Sequence, residues 1–512
     1  MKFLFFIFDY LFFFSIASSQ PILYLPLDHW AYPYLDRFSG LHYIELDLEV
    51  RPVLRSEVLG EIRPILESVE RGEVILSPID RWYLERLRVE FQRELGVKPQ
   101  KIADRPLFEF EEGESYFTFD TRISGARLIQ KRESPSRVGS LDFRSYGTFG
   151  DKIAYDEKIV LSNRKGEGVR ELGFSDAGLV PWNDFWTSIE RSYFAMGVGA
   201  IHELPLLQIQ IGRDRKWWGP GRFGTLFLST NAPPIDLLQL SSRIWRFHAG
   251  AFTALLSPDE GRFLSIHRLG FHLSKRTTLG VAEGVFYNRR LPELGYLNPI
   301  LPYYATQRNV DKDDNIFWHL DFSTLPKDGI KVYGELLIDD FQYSERDSFP
   351  DKLGGLIGFQ WFNPLGIRDT DLQGEVGRIQ KWVYTHRKSD NSYLHEEELL
   401  GDGIGPDAER IHLLLTKRWT KRLSTILKGV SIRHGEGRDF VPWELNYPDP
   451  RPPFPSGIVE RRSSIGLGMD FEPTWRVRFN LFGRWETWKN EWNIEGEDSE
   501  DFLAETRVEI NF

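Results

Sequence analysis

Phe502-Leu503-Ala504-Glu505-Thr506-Arg507-Val508-Glu509-Ile510-Asn511-Phe512 alternates apolar with polar at every step from Ala504 onward. Phe502, Ala504, Thr506, Val508, Ile510 and Phe512 fall on one face, and Glu505, Arg507, Glu509 and Asn511 on the other. Successive side chains of a strand point to opposite faces, so this is a strand with one apolar and one polar side. At about ten residues it has the length that a tilted crossing of a bilayer needs.

The same rhythm recurs upstream. Trp475, Val477, Phe479, Leu481, Gly483 and Trp485 alternate with Arg476, Arg478, Asn480, Arg484 and Glu486. Leu207, Ile209 and Ile211 alternate with Gln208 and Gln210, and Phe117, Phe119 and Ile123 with Thr118, Asp120 and Arg122. Val332, Gly334, Leu336 and Ile338 face away from Lys331, Tyr333, Glu335 and Asp339, although Leu337 interrupts the polar side. A soluble β-sandwich also alternates, with its apolar face inward. Strand length and the N-terminal segment favour an all-β, transmembrane antiparallel barrel over residues 105–512. The terminal Phe512 resembles the signal read by the machinery that inserts outer-membrane barrels, which is therefore an expected partner together with outer-membrane lipid.

Between the strands the chain is polar and rich in turn formers: 166–173, 311–315, 389–406 and 446–457. Prolines at 448, 450, 452, 453 and 455 lack the N–H that a paired strand needs, so 446–457 is expected to be a loop.

The N-terminus reads as a signal peptide over 1–19. Lys2 precedes a run from Phe3 to Phe14 that is apolar except at Asp9 and Tyr10, followed by Ser15-Ile16-Ala17-Ser18-Ser19 as a cleavage context. No later stretch approaches roughly 18 consecutive apolar residues, so a membrane crossing must use strands. Residues 20–104 differ from the rest. Asp28-His29-Trp30-Ala31-Tyr32 opens a helix that ends near Gly40. Arg55-Ser56-Glu57 begins a second, with Val58, Ile62, Ile65 and Val69 at helical spacing, and a third follows Ser77-Pro78. This predicts a small periplasmic helical module. Its Asp28-His29-Trp30-Ala31-Tyr32 and Arg51-Pro52…Arg55-Ser56-Glu57 resemble one repeat of the S-layer-homology type, which implies contact with peptidoglycan.

Composition is consistent with export. Aromatic residues reach 14%, including 16 Trp, 19 Tyr and 38 Phe, which suits interfacial girdles or sugar-stacking platforms. There is no cysteine, which excludes disulfides and thiolate metal sites. A net charge of −11 with no basic face argues against nucleic acid as a partner.

The most specific stretch is Gly212-Arg213-Asp214-Arg215-Lys216-Trp217-Trp218-Gly219-Pro220-Gly221, leading to Leu226-Phe227-Leu228-Ser229 and Asn231-Ala232-Pro233-Pro234. With Asn298-Pro299-Ile300, Asp314-Asn315, Tyr333-Gly334-Glu335 and Asp339-Asp340-Phe341-Gln342, it resembles the capsule-assembly Wzi family over roughly 110–512. The resemblance implies an outer-membrane barrel of about 18 strands with an occluded lumen. It also implies a lectin-like, non-enzymatic role in retaining capsular or other extracellular polysaccharide at the cell surface. Arg213, Asp214, Arg215, Lys216, Trp217 and Trp218 are the candidate glycan-binding residues, because rings stack on pyranose C–H faces and charged groups pair with hydroxyls or acidic sugars. Their alternative use is packing around a Gly-Pro-Gly turn.

Other chemistries lack their signatures. Asp311, Asp313, Asp314 and Asn315 miss the glycine and terminal glutamate of an EF-hand, and no His-Glu-x-x-His or Gly-x-Ser-x-Gly occurs. No catalytic residue, metal site or cofactor is expected. A porin or polysaccharide export channel, and less so an outer-membrane hydrolase, are the competing readings.

Overall fold

A computed structural model describes residues 20–97, 106–173, 178–182, 184–201, 204–289, 291–310, 313–341, 349–443 and 449–512. The expected signal peptide at 1–19 and the expected module boundary at 104 lie outside the described residues, as does Asp311.

Eighteen strands form one closed antiparallel barrel. In chain order they are β1 (Ser115–Gln130), β2 (Ser136–Phe149), β3 (Ile153–Lys165), β4 (Phe185–Ile201), β5 (Leu204–Asp214) and β6 (Ile235–Ile244). Next come β7 (Phe247–Ser257), β8 (Arg262–Ser274), β9 (Thr277–Asn288), β10 (Asn315–Lys327), β11 (Ile330–Asp340) and β12 (Lys352–Phe362). The last six are β13 (Thr370–Ile379), β14 (Ala408–Thr420), β15 (Leu423–His434), β16 (Glu460–Thr474), β17 (Val477–Lys489) and β18 (Ser499–Asn511). The closing seam pairs β18 with β1, from Leu503 opposite Gln130 to Asn511 opposite Arg122. Closure removes the unpaired edges that an open sheet would expose to lipid.

The outer wall is apolar all the way round. Ile123, Ile189, Ile211, Leu238, Val281, Leu320, Ile357, Ile411, Leu427, Ile465 and Leu481 are exposed along it. Their i±1 neighbours point into the lumen, where Asp142, Asp156, Gln210, Arg268, Asp321, Glu375 and Arg410 are buried. A soluble sheet would hide the first set and expose the second, so this wall is built to face hydrocarbon. No helix among the described residues is long and apolar enough to cross a membrane; the strands do so.

The two ends differ. Two-residue turns follow Ile244, Ser274, Lys327, Thr420 and Thr474. Long connections, such as 215–234, 289–314, 380–407 and 435–459, all lie at the opposite end. Short turns mark the periplasmic end of such barrels and long loops the extracellular end.

Three helices sit at the short-turn end: α1 (Tyr32–Gly40), α2 (Arg55–Glu70) and α3 (Pro78–Glu90). They match the three expected from the sequence. Pro78 stands in the first turn of α3, where its missing N–H costs nothing, and the Ser77 hydroxyl accepts from the Asp80 N–H. Leu35, Phe38, Leu48, Val58, Ile62, Leu84, Leu87 and Phe91 pack into a core of the module's own.

Ion pairs then bolt the module to the barrel mouth. The Arg37 guanidinium, fully buried, donates to Asp80 at 2.7 Å within the module and to Asp371 of β13. Arg86 donates to Glu472 of β16 at 2.7 Å. Trp475, expected inside a strand, instead lies in the turn before β17 and packs edge-on against Trp82, so that apolar stripe starts at Val477.

Candidate functional site

The segment 215–234 does not sit on the surface. It leaves the extracellular end of β5, dives into the lumen and returns to β6. Trp217 and Trp218 pair antiparallel with Arg51 and Val50 of the helical module, and the Gly219 N–H donates to the Glu49 carbonyl at 2.8 Å. The loop from outside and the module from below thus meet inside the barrel.

Glu335, inward on β11, holds the loop in place. Its carboxylate accepts the N–H of Gly221 at 2.8 Å, the N–H of Leu226 at 2.7 Å and the Thr225 hydroxyl at 3.0 Å. His319 lies 3.2 Å away and stacks on Phe227. Two glycines make this fit possible. A Cβ at Gly219, where φ is +142°, would lie 2.1 Å from Thr225 Oγ1, and one at Gly221 would lie 1.9 Å from the Gly224 carbonyl oxygen.

A second inner layer comes from 380–407. Tyr384 and Tyr393 donate their hydroxyls to the carbonyls of Leu226 and Phe227, and the Tyr384 N–H donates to Asp339 at 2.7 Å. Trp218, Leu226, Phe227, Leu228, Tyr384, Tyr393 and Leu400 form one apolar core with inward residues of the wall, including Leu337. Leu337, which interrupts the polar rhythm of β11, is therefore lumenal after all; it is apolar because the plug lies against it.

Opposite charges meet across the junction of loop, module and wall. Arg222 donates to Asp36 of α1 at 2.9 Å, and the same carboxylate accepts from Arg51. Lys331 of β11 pairs with Glu49 at 2.8 Å. Burial and the neighbouring Glu49 push the Asp47 carboxyl up to about 8. Against its own burial, Lys331 holds Glu49 well below the usual carboxylate range.

The six candidate residues do not share one surface. Trp218, only 2% exposed, packs edge-on against Phe252. The Lys216 ammonium, also buried, donates to Gln210 at 2.7 Å and Asp214 at 3.0 Å. Burial lowers its pKa, with Asp214 opposing. Arg215 donates to Glu190 and to the carbonyls of Thr230 and Ala232. Trp217 is half-buried and donates its indole N–H to Gly219 O. Arg213 points outward with Ile211 and forks onto Asp236 at the rim. The motif is used for internal packing, ion pairing and turn geometry.

What the extracellular mouth offers is different. Trp488 faces inward near the top of β17 between Arg132 and Arg462, whose guanidinium carbons lie 5.8 and 5.4 Å from its ring. Beyond it, Trp492 is 76% exposed on the 490–498 turn, with φ of +60°. The Trp492 N–H donates to Glu460 at 2.7 Å, which holds this left-handed turn. Arg170, Arg387 and Lys388 add exposed cations, each paired with an acid. Phe440 is exposed on the neighbouring loop. No motif marks these residues in the sequence; the one sign is a tryptophan standing in a polar turn.

The described acids of the 311–315 stretch are used structurally. Asp313 accepts from Arg387, and Asp314 accepts from Arg289 and the Tyr296 hydroxyl. Among the described residues, no group of three or more His, Cys, Asp or Glu is placed to hold a metal ion.

Comparison with known proteins bears out the family resemblance. Residues 131–260, which include the Trp217-Trp218 loop, match the family described as capsule assembly protein Wzi. Among curated proteins no sequence matches. Among solved structures the chain is similar to Wzi of Escherichia coli, described as an outer membrane protein involved in group 1 capsule assembly and a carbohydrate-binding β-barrel. That similarity has a TM-score of 0.63 at 15% identity and covers 96% of this chain and 99% of the other. A weaker similarity is to OpdK of Pseudomonas aeruginosa, with a TM-score of 0.46 at 10% identity over 77% of this chain and 98% of the other.

Proposed function

We propose that this chain is a non-enzymatic barrel of the bacterial outer membrane that binds capsular or other exported polysaccharide and retains it at the cell surface. The observation that carries the reading is the plug. Two loops from the outside and a helical module from the inside meet in the lumen, joined by matched hydrogen bonds and ion pairs. A porin or exporter would need that volume open.

In this reading the polymer lies across the extracellular mouth. Trp488 and Trp492 supply stacking faces, and Arg132 and Arg462 supply donors for hydroxyls or acidic sugars. Each contact is weak, and retention comes from many repeats engaging together. The candidate loop serves mainly as the rigid floor of this mouth, with Trp217 and Arg215 half-buried in it. The fold of the Escherichia coli protein supports the same assignment. Barrel-insertion machinery would act on the β18 end, and peptidoglycan would meet the exposed side of α2, around Ser56, Arg63 and Glu67. The S-layer-like residues themselves are engaged internally: Asp28 with Lys158 of β3, Arg51 with Asp36, and Arg55 with Glu90.

Two measurements on the purified protein test the proposal. In planar bilayers it should pass almost no current. Bound to a surface, it should retain acidic polysaccharide and release no shortened product. Steady open-channel conductance, or loss of polymer length, would overturn it.

A further inference from the structure

On the outer wall, a carboxylate stands where lipid is expected. Glu283 of β9 shares its face with Leu279 and Val281, both exposed to the outside, while its neighbour Ala282 points into the lumenal core. An ionised side chain on the lipid face of a strand is unfavourable. Here it is covered. The connection after β9 folds back down the outside of the barrel as two short helices, α4 (Leu294–Leu297) and α5 (Tyr303–Val310).

Glu283 accepts the Tyr303 N–H at 2.7 Å, the Tyr304 N–H at 2.9 Å and the Trp318 indole N–H at 3.2 Å, and His267 of β8 lies 3.2 Å away. Phe263, Val285, Tyr287 and Ile316, also outward-facing, are buried under Tyr296 and Tyr303. Arg289, Asp314 and the Tyr296 hydroxyl tie the upper end together.

The outer surface of this strap is the reverse of a water-facing loop. Leu291, Leu294 and Ile300 are 72, 80 and 86% exposed, with Leu297, Leu301 and Tyr304 beside them. Immediately below, Leu269, Val281 and Leu320 continue the apolar wall. A water-exposed strap would leave this patch unburied, next to a surface that is itself immersed.

We propose that residues 291–304 form a lipid-embedded strap that lies among the acyl chains of the outer leaflet, anchored to the barrel wall by Glu283. Its polar and tyrosine side replaces lipid over the upper part of β8–β10, and its leucine side restores an apolar surface to the membrane.

The absence of native cysteine allows a direct test. Single variants Leu294→Cys, Ile300→Cys, Leu320→Cys and Leu365→Cys would carry a nitroxide label in phosphatidylcholine vesicles. Leu320 is the wall reference, and Leu365, in a periplasmic turn, is the water reference. Labels at 294 and 300 should favour collisions with oxygen over a water-soluble nickel complex, as at 320. A nickel-dominated response like that at 365 would overturn the proposal, as would spin–spin broadening at 294 that marks a second copy seated there. If 320 itself reports water, the membrane orientation of the whole wall fails instead. Adding Glu283→Ala should mobilise the label at 294 and leave 320 unchanged; an unmoved label would remove Glu283 from its anchoring role.

Discussion

Arg222 and Asp36 meet at 2.9 Å inside the barrel, one carried down by a loop from the cell surface and the other carried up by a helix from the periplasm. Both side chains are nearly buried, and Arg51 shares the carboxylate. Removing one member leaves the others charged and unpaired in a low-dielectric interior, at a cost of about 3–5 kcal/mol. Asp36→Ala is therefore expected to unlatch the plug while the strands stay closed. Single-channel recording should show openings absent from the parent, in protein that still migrates as a compact barrel before heating. Silent bilayers would mean that the junction is held without this pair.

A parallel expectation concerns the module. Arg37 bridges Asp80 and Asp371; Arg37→Ala strands the buried Asp80, while Asp371 keeps Arg418 at 2.6 Å. The barrel should survive, and the three helices should become sensitive to protease added on the periplasmic side. Unchanged resistance would show that Arg86–Glu472 and the Gly219–Glu49 contact suffice.

Acid should loosen the outer loops. Burial lowers the His386 imidazole to about 4, with Asp313 opposing and Lys352 adding to the effect. A base whose pKa falls on folding contributes stability above its unfolded value, near 6.5, and that stability is lost as pH drops toward the folded value. Between these limits the loss is on the order of 3 kcal/mol. Proteolysis within 380–407 should accelerate from pH 6.5 to 4.5, and His386→Gln should flatten that rise.

Alkali acts on the inner junction. Asp47 is held protonated by burial and by Glu49, so its contribution is present at low pH and declines as pH rises toward about 8. Urea unfolding should show a midpoint that drops between pH 6 and 9 in the parent. Asp47→Asn should hold the midpoint nearly constant across that range.

Glycan retention should separate the two tryptophan sets. A ring stacked on a sugar contributes on the order of 1 kcal/mol, about fivefold in affinity. Trp492→Ala and Trp488→Ala should each weaken polymer retention with the thermal midpoint unchanged. Trp218→Ala should instead lower the midpoint, because emptying a packed aromatic site costs about 3–5 kcal/mol. If only the Trp218 variant loses polymer, the floor of the mouth and not its rim is the binding surface.

The barrel was legible because a lipid-facing strand repeats every two residues, and nearly every strand keeps that period. Leu337 breaks the rhythm of β11 because the plug packs against it, and a sequence does not show what leans against a lumenal position. The Gly212–Gly221 block stands out in the sequence for a sound reason, since its glycines and proline fix an unusual path. Whether that path ran over the surface or through the interior depends on long-range partners, Glu49 and Glu335, that no local pattern connects to it. Glu283 was not singled out by the sequence, although its covering strap lies within the next 27 residues. Trp492 carried no signal beyond its place in a polar turn.

The Arg37–Asp371 and Arg86–Glu472 bolts set an order of assembly. The helices are synthesised first, yet their docking partners belong to the thirteenth and sixteenth strands, and the lumen they close exists only after the last strand meets the first. The module must therefore wait, folded on its own core, while the barrel forms beside it. A variant that damages that core should fail as a newly made chain awaiting a mouth to occupy, long before any finished barrel feels the loss.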